Sequence, residues 1–353
     1  MKRIMYISSA SRPLLAEEIE SISEKSIHNN ARDGVTGILL TAQEFFFQIL
    51  EGEPHRVNEA FERIRKDPRH QDVLILKSEP EVEGRLFGQW SMKTVRLDAT
   101  GDLLIQAIRI MLENITESHR IIERYTQPVV LNFLTEGINP LTVPVRKKDS
   151  VVLFGDIVAF SHLSTLYPVE EVTALVNLFL DLGSAAIVKH GGEVTKYIGD
   201  CIVAHFEADA ADQAIAASLE ILNTLKSLRN VAGECRLQGF LYCGLGISRG
   251  TVIQGNIGSS TKMDYTVLGD TVNLAARLEG LTRVIGRGLA LSETVKSSAL
   301  KPWPFVTAGE FKLKGQLEAQ MVHTLDLPEV NDFMDFDGIV RLADGTCGLP
   351  ERH

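Results

Sequence analysis

The chain has 353 residues, of which 44% are hydrophobic and 23% are charged, ordinary values for a protein of two globular domains. Its formal net charge of −10 argues against nucleic-acid binding, because neutralising phosphates requires a basic surface. The four cysteines show neither a CxxC spacing nor a disulfide framework, so we expect reduced thiols and no zinc site.

The N-terminal segment MKRIMYISSASRP contains an apolar run that is too short for the core of a signal peptide. No run approaches the roughly 18 apolar residues that a membrane-spanning helix needs. We therefore expect a cytoplasmic protein that binds neither a membrane nor a nucleic acid.

Residues 1–97 alternate between strand-like and helix-like segments. Strands are predicted at IMYIS, GILLTA, FFFQILEG, VLILKSE and WSMKTVRL, and helices at LLAEEIESISEKSI and VNEAFERIRKD, where apolar residues recur at helical spacing. The resulting order β-α-β-β-α-β-β predicts a ferredoxin-like α+β domain.

Residues 98–149 are predicted to form a connecting helix and a linker. Between 101 and 126, spacings of four and three alternate along Leu104, Ile108, Met111, Ile115, Ser118, Ile122 and Tyr125. This pattern is typical of a coiled coil with one polar interruption, and we favour a helix that pairs with its copy in a homodimer. The alternative is an amphipathic helix packed on its own domain. Prolines and basic residues after the helix indicate a linker.

Residues 150–325 repeat the α+β alternation. We predict a strand at VVLFGDIVAF, a hairpin at GGEVTKYIGDCIVAHF, strands at LYCGLGISRG and TVIQGNIG, and helices over 168–190, 209–229 and 270–282. The predicted fold is thus α+β, with two ferredoxin-like α/β-sandwich domains joined by a long coiled-coil-type helix. Residues 326–353 form an acidic tail that we expect to be partly disordered.

Two aspartates stand at strand ends in the second domain. Asp156 lies between the apolar runs VVLF and IVAF, where a carboxylate needs a partner, and Asp200 lies at the tip of the hairpin. Such a pair can hold two divalent cations when phosphate oxygens fill the remaining coordination positions. Turn or cap roles are the alternative, as is a surface ion pair between Lys196 and Asp200.

The helix GDTVNLAARLE supplies a second polar pair. Asn273 and Arg277 are four residues apart, so an amide and a guanidinium lie on one face of the helix. Further along, Lys314 precedes Gly315 in a predicted loop and suits a terminal phosphate.

The segments FGDIVAFS, GGEVTKYIGDCIVAHF and YTVLGDTVNLAARLE resemble the catalytic domain of the class III nucleotidyl cyclases. The resemblance implies a dimer with two active sites, each built from both subunits, and two Mg²⁺ or Mn²⁺ ions. It also implies the residue roles, which are metal binding by Asp156 and Asp200, purine recognition by Lys196 and Thr266, ribose orientation by Asn273, transition-state stabilisation by Arg277, and β/γ-phosphate binding by Lys314.

The purine-recognition residues favour adenine. The Lys196 ammonium can donate to N1 of adenine, whereas guanine presents an N1–H donor at that position. Thr266 departs from the aspartate that is common there in the family, and its hydroxyl can both donate and accept. ATP is therefore the expected substrate, and a guanylyl cyclase is an alternative.

In the first domain, Gln48 lies mid-strand among bulky apolar residues in FFFQILEG, and Asn30 lies near the end of the first helix. The sequence pattern alone leaves an alternative for each residue. Gln48 could lie in solvent on an edge strand, and Asn30 could cap the C-terminus of the helix. Together with the segments MYIS, HNNARDGVTGILL, DPRH and WSMK, they resemble a BLUF domain, a blue-light sensor that uses FAD.

The BLUF resemblance implies a flavin between the two helices, with FAD expected and FMN or riboflavin open. It implies that Tyr6 donates an electron and a proton to the excited flavin, and that Gln48 rearranges its amide. The resemblance also implies that Asn30 bonds to the C4 carbonyl and N3 of the flavin. It implies further flavin contacts by Arg63, Asp67 and His70. Finally, it implies that Trp90 and Met92 relay the change toward the 101–126 helix.

Together the two resemblances imply an enzyme in which blue light raises the conversion of ATP to cyclic AMP and pyrophosphate. The alternatives are a flavin-based signalling protein with a catalytically inactive second domain and a first domain that senses redox state or a ligand. All four of Asp156, Asp200, Asn273 and Arg277 are present, which favours the enzyme.

Overall fold

The computed structural model describes residues 1–41, 45–97, 103–136, 138–230, 236–314 and 318–347. The chain divides into two compact units, Met1–Val143 and Pro144–His353. The predicted connecting segment 98–149 is thus shared between the units, and most of it belongs to the first.

The first unit contains a five-stranded sheet in the order β4-β1-β3-β2-β5, with two helices. Its elements are β1 (Lys2–Ala10), α1 (Ala16–Asp33), β2 (Thr36–Thr41), β3 (Phe45–Gly52), α2 (Pro54–Arg65), β4 (His70–Glu79) and β5 (Lys93–Arg96). Neighbouring strands are antiparallel except β2 and β5, which are parallel. The predicted ferredoxin-like α+β fold is confirmed for this unit.

Both helices bury an apolar stripe against the sheet. Helix α1 buries Ile19 and Ile22, and it is capped after Asp33 by Gly34, whose φ of 66° favours glycine. Helix α2 begins at a proline. Proline suits this position because it has no backbone N–H, and an N–H in the first turn would have no partner within the helix. The helix buries Val57 and Phe61. These stripes and the sheet form the core that surrounds Tyr6.

The connecting helix α3 (Leu103–Tyr125) carries two apolar faces. On one face, Leu112 is buried together with Ile7 and Phe45 of the sheet. The packed alternative is therefore confirmed for this face. The other face exposes four residues of the predicted seam, which are Met111 (64%), Ile115 (40%), Ile122 (46%) and Tyr125 (89%). Pairing of this exposed face with a second copy stays a prediction, and the side chain of Leu104 lies outside the described residues.

The predicted linker is partly helical. Helix α4 (Pro128–Thr135) and a 3-10 turn (Pro140–Thr142) occupy the segment that was assigned to a linker on its prolines. Pro128 and Pro140 each stand at a first helical position, where a proline starts a helix instead of breaking one. The predicted linker therefore contains short helical elements, and the boundary between the two units falls within it, between Val143 and Pro144.

The second unit is built on an eight-stranded sheet in the order β12-β13-β11-β9-β6-β8-β7, with β10 paired to β9. Its elements are β6 (Arg146–Ile157), α5 (Phe160–Leu166), α6 (Val169–Lys189), β7 (Glu193–Ile198), β8 (Cys201–Glu207), α7 (Ala211–Arg229), a 3-10 turn (Arg236–Phe240), β9 (Cys243–Gly258), β10 (Met263–Leu268), α8 (Asp270–Ile285), β11 (Leu289–Ser292), α9 (Glu293–Ser298), β12 (Phe305–Phe311), β13 (Gln320–Leu325), α10 (Pro328–Asn331) and α11 (Phe336–Cys347). The predicted α+β alternation is confirmed, although β9 is one long strand where two were predicted.

Helix α6 is long and apolar enough to cross a membrane, judged by length and composition alone. The same features are typical of a helix in a protein core. Leu175, Phe179 and Ile187 on α6 are fully buried, and they pack in one cluster with residues of β6 and β8.

The acidic tail is folded where the structure describes it. Val330, Ile339 and Ala343 are fully buried in the core of the second unit. Ile339 and Ala343 are four residues apart, so α11 presents them on one face despite its acidic composition. The expected disorder is therefore wrong for residues 328–347.

Candidate functional site

The two predicted metal-binding carboxylates are neighbours. Asp156 lies near the end of β6 and Asp200 immediately before β8, and these strands are antiparallel partners in which Gly155 faces Ile202. The backbone N–H of Ile157 donates to the carboxylate of Asp200. Burial, and then the neighbouring Asp156 carboxylate, raise the pKa of Asp200 to about 7. The pair therefore concentrates negative charge at one point.

This carboxylate pair fits a divalent cation. Among the described residues, no cluster of three or more His, Cys, Asp or Glu side chains is arranged to hold a metal ion. Two carboxylates leave most coordination positions open, and hard cations such as Mg²⁺ fill such positions with water and phosphate oxygens. The donor set thus suits a metal that completes its coordination with water or with the oxygens of a polyphosphate.

The raised pKa of Asp200 predicts a gain in stability for Asp200→Asn in metal-free protein at pH 8. An acid whose folded pKa lies above its unfolded value costs stability as the pH rises from about 4 through 7. After allowance for solvent screening, we expect about 1 kcal/mol, or roughly 2–4 °C in melting temperature, at pH 8 and no gain at pH 4. Differential scanning fluorimetry with EDTA measures this, and Asp209→Asn is an exposed control. Equal shifts at both pH values would contradict the charge explanation.

Asp200 is placed by a tight hairpin between β7 and β8. Ile198 pairs with Cys201, so Gly199 and Asp200 form the turn, and Gly199 has a φ of 65° that residues with a side chain rarely adopt. Lys196 lies further back on β7, opposite Val203. Within the described chain, Lys196 forms no ion pair with Asp200, so the surface-pair alternative is wrong.

Thr266 carries a polar atom without a partner. It lies on β10 opposite Gly255, it is 3% exposed, and its Oγ1 forms no hydrogen bond with any described residue. A buried hydroxyl without a partner is costly, and a ligand that donates to it or accepts from it removes the cost.

Asn273 and Arg277 share one face of α8, as predicted. Neither side chain forms a hydrogen bond or ion pair with other residues in the described parts of the chain. Lys314 is exposed in a turn after β12, and its neighbours 315–317, including the predicted loop glycine, lie outside the described residues. These three polar side chains are thus available to a ligand.

Two further charged residues on the same helix, Arg283 and Glu279, were not predicted from the sequence. Arg283 donates from Nη2 to Oδ2 of Asp156 over 3.0 Å and from Nη1 to Oε1 of Glu279 over 2.5 Å. Burial raises the pKa of Glu279 to about 7. Their i, i+4 spacing indicates only a helical ion pair, and no local signal links Arg283 to an aspartate 127 positions earlier.

In the first unit, Tyr6 and Gln48 face each other across β1 and β3. The Tyr6 hydroxyl donates to Oε1 of Gln48, and Nε2 of Gln48 donates to Sδ of Met92 over 3.5 Å. All three side chains are buried, and burial raises the pKa of Tyr6, which keeps its phenol protonated. Because β3 lies between β1 and β2, the edge-strand alternative for Gln48 is wrong.

Asn30 lies inside α1, four residues before the Gly34 cap, and it is 5% exposed. Its Nδ2 donates to the backbone oxygen of Ser91 over 3.1 Å, so the C-cap alternative is wrong. Asn30 and Gln48 each carry both a donor and an acceptor, and a flavin ring edge also presents both. The donor set of this buried region therefore fits a flavin.

The predicted peripheral flavin contacts have partners of their own. Arg63 pairs with Asp33 over 2.7 Å, and Asp67 pairs with Arg69 over 2.5 Å. The hydrogen bond from Arg69 is the main reason that the pKa of Asp67 falls to about 2. Any role of Arg63 or Asp67 in flavin binding stays a prediction.

Of the two remaining predicted residues of the first unit, the His70 ring is largely buried, whereas Trp90 is exposed. The Nδ1 atom of His70 is 2.7 Å from Oγ of Ser8, and burial lowers the pKa of His70 to about 4, so its ring is neutral at pH 7. Trp90 is 44% exposed and stacks on Phe87, unlike the buried Met92.

The chain matches two known families. Residues 1–93 match the family described as "Sensors of blue-light using FAD", and residues 143–326 match the adenylate and guanylate cyclase catalytic domain. A solved bacterial light-regulated adenylyl cyclase superposes with a TM-score of 0.90 at 43% identity, covering 98% of this chain and 100% of that one.

Similar curated proteins come from Euglena. The photoactivated adenylate cyclase subunit beta of Euglena gracilis is 32% identical to this chain, over 83% of this chain and 34% of its own length. Subunit alpha of the same organism is also 32% identical, over 83% of this chain and 29% of its own length. The chain therefore spans about a third of the length of these relatives.

Proposed function

The chain belongs to the adenylate and guanylate cyclase family and carries a BLUF domain before its catalytic domain, and on this premise we propose that it is a blue-light-activated adenylyl cyclase. The observation that carries the catalytic assignment is the adjacent pair Asp156 and Asp200, whose mutual repulsion a divalent cation relieves. The reaction is attack of the ribose 3′-OH of ATP on the α-phosphorus, with loss of pyrophosphate.

Asp156 and Asp200 would hold two Mg²⁺ or Mn²⁺ ions. When bound, such ions lower the pKa of the attacking hydroxyl and neutralise phosphate charge. The two carboxylates fix the position of this charge at the end of β6 and the start of β8.

Asn273, Arg277 and Lys314 act on the rest of the nucleotide. Asn273 orients the ribose, so that the 3′-OH stands in line with the departing pyrophosphate oxygen. Arg277 donates to the α-phosphate oxygens as negative charge develops on them, which lowers the barrier because the donor is already in place. Lys314 holds the β- and γ-phosphates. The freedom of all three side chains from other described partners supports these roles.

Lys196 and Thr266 select the base. The Lys196 ammonium donates to N1 of adenine, and the Thr266 hydroxyl accepts from the N6 amino group. The unpartnered buried Oγ1 of Thr266 supports this assignment. Because a hydroxyl can also donate to O6 of guanine, GTP is the second candidate substrate.

Each active site is shared by the two subunits of a homodimer. One subunit supplies Asp156 and Asp200, and its partner supplies the base-selecting and ribose-side residues. The lack of a Lys196–Asp200 ion pair supports this division. Tyr197 and Ile198, beside Asp200, are 51% and 56% exposed, and a partner subunit would cover them.

Subunit mixing tests the shared site. Asp200→Ala and Arg277→Ala subunits are each expected to be inactive alone. A random mixture should regain about a quarter of wild-type activity, because half of the dimers are mixed and each has one intact site. Cyclic AMP production by the purified mixture measures this, with a mixture of two Asp200→Ala preparations as control. No recovery by mixed dimers would place the whole site within one chain.

The first unit is the light sensor, and the buried hydrogen-bond chain from Tyr6 through Gln48 to Met92 supports this role. A bound FAD, with FMN or riboflavin as alternatives, supplies the light-absorbing group. Tyr6 holds a proton at its hydroxyl and Gln48 accepts it in a hydrogen bond. Reversing the Gln48 amide exchanges its donor and acceptor ends without adding charge, so the contact with Met92 changes as well.

The signal reaches the catalytic unit through α3. Met92 stands one residue before β5, and α3 packs Leu112 against the same sheet. A change at Gln48 therefore alters the sheet surface on which α3 packs. The exposed face of α3, from Met111 to Tyr125, pairs with its copy in the dimer.

A further inference from the structure

Arg283 is a fixed positive charge inside the candidate metal site. Its guanidinium bridges two carboxylates, with Nη2 on Oδ2 of Asp156 and Nη1 on Oε1 of Glu279. The side chains of Arg283 and Asp156 are each less than a third exposed, and that of Glu279 is only 10% exposed. The bridge is therefore partly shielded from water. Charge pairs that are shielded in this way are screened less than exposed ones.

The backbone of β9 permits this bridge. A side chain on Gly246 would meet the backbone N of Glu279 at 2.2 Å, and one on Gly244 would meet Oε1 of Glu279 at 2.7 Å. Only glycine allows α8 to lie this close to the strand. Asp156 pairs with Gly244 across β6 and β9, so the close approach brings the last turns of α8 to Asp156.

We propose that Arg283 is a positioning residue that occupies Asp156 in the metal-free protein and competes with the divalent cation for it, while Glu279 limits this competition by holding the other side of the guanidinium. The proposal rests on the proposed metal role of Asp156 and Asp200. It assigns to Arg283 control over the metal concentration at which the enzyme works.

The physical reason is charge. An arginine stays protonated at any pH at which the protein is folded, so it cannot leave the site by losing a proton. A cation that binds Asp156 must share the carboxylate with the guanidinium or displace it toward Glu279. The guanidinium contact lies on Oδ2, so it also fixes the orientation of the carboxylate plane.

Substitutions on the two sides of the bridge should have opposite effects. Arg283→Gln removes the competing charge, and we expect Mn²⁺ to bind about tenfold more tightly. Glu279→Gln leaves the guanidinium to Asp156 alone, and we expect Mn²⁺ to bind several-fold more weakly. Arg283→Lys keeps the charge and should stay near the wild-type affinity. A purely structural role would lower the melting temperature in each variant without this change of sign.

The test is a Mn²⁺ titration of the 353-residue chain in darkness, followed by the electron paramagnetic resonance signal of free Mn²⁺. Arg287→Gln is the matched control, because Arg287 lies one turn further on and bonds to Asn331. The half-saturating Mn²⁺ concentration for cyclic AMP production should shift in the same direction as the binding constant. Circular dichroism confirms that each variant is folded.

Two outcomes separate the two proposals. If Asp200→Ala abolishes Mn²⁺ binding but folded Arg283→Gln binds with unchanged or lower affinity, the role of Arg283 is overturned and the metal site stands. If wild-type protein and Asp200→Ala bind Mn²⁺ equally, the metal assignment fails, and the role of Arg283 falls with it.

Discussion

Asp200→Ala is expected to lower the rate of cyclic AMP formation at least about 1000-fold, because the site loses one of its two metal-binding carboxylates. The flavin absorption band and its response to light should remain, since Asp200 belongs to the other compact unit. Cyclic AMP measured under saturating ATP and Mg²⁺ gives the rate.

The control for this variant is Asp209→Ala, which removes an exposed carboxylate from the same unit and should leave the rate unchanged. If Asp200→Ala retains more than about a tenth of wild-type activity, two-metal catalysis at this position is contradicted.

Gln48→Leu is expected to retain flavin but to lose both the light-induced red shift and the light activation of the cyclase. Leucine fills a similar volume in the buried strand, but it neither accepts from Tyr6 nor donates to Met92. Light and dark activities should therefore become equal. Absorption spectra before and after a blue flash, with cyclase assays on the same sample, measure both effects.

Gln71→Leu serves as the control for Gln48→Leu, because Gln71 is an exposed glutamine on β4 of the same sheet. It should keep the red shift and the activation. A normal red shift in Gln48→Leu would remove the switch role from this amide.

The fold of the first unit could be predicted because each segment carries a local period. Ile19 and Ile22 show the buried face of α1 in the sequence alone. The apolar run FFFQILEG predicts a strand, but it does not show that Gln48 lies on the buried face and that Phe47 and Ile49 are only partly buried. The role of α3 could be predicted only in part. Its heptad pattern and its packing pattern overlap, and which apolar face meets the sheet depends on residues such as Ile7 that lie far away in the chain.

The candidate site could be predicted where motif residues lie within one hairpin or one helix turn, as for Asp200 or for Asn273 with Arg277. Arg283 could not, because its importance arises from a contact between α8 and β6. That contact is possible only because residues 244 and 246 are glycines, which have no side chain to keep α8 away from β9. The folding of residues 328–347 could not be predicted, because the acidic composition of the tail outweighs the signal of two buried residues, Ile339 and Ala343.

One measurement tests whether light sensed by the first unit controls cyclisation in the second. Purified protein with Mg²⁺ is given ATP or GTP in darkness and under blue light, and the flavin band is recorded in the same cuvette. We expect a light-dependent rise of cyclic AMP from ATP, little product from GTP, and a reversible red shift. A red shift without cyclase activity from either nucleotide would contradict this expectation and leave a photoreceptor with an inactive catalytic domain.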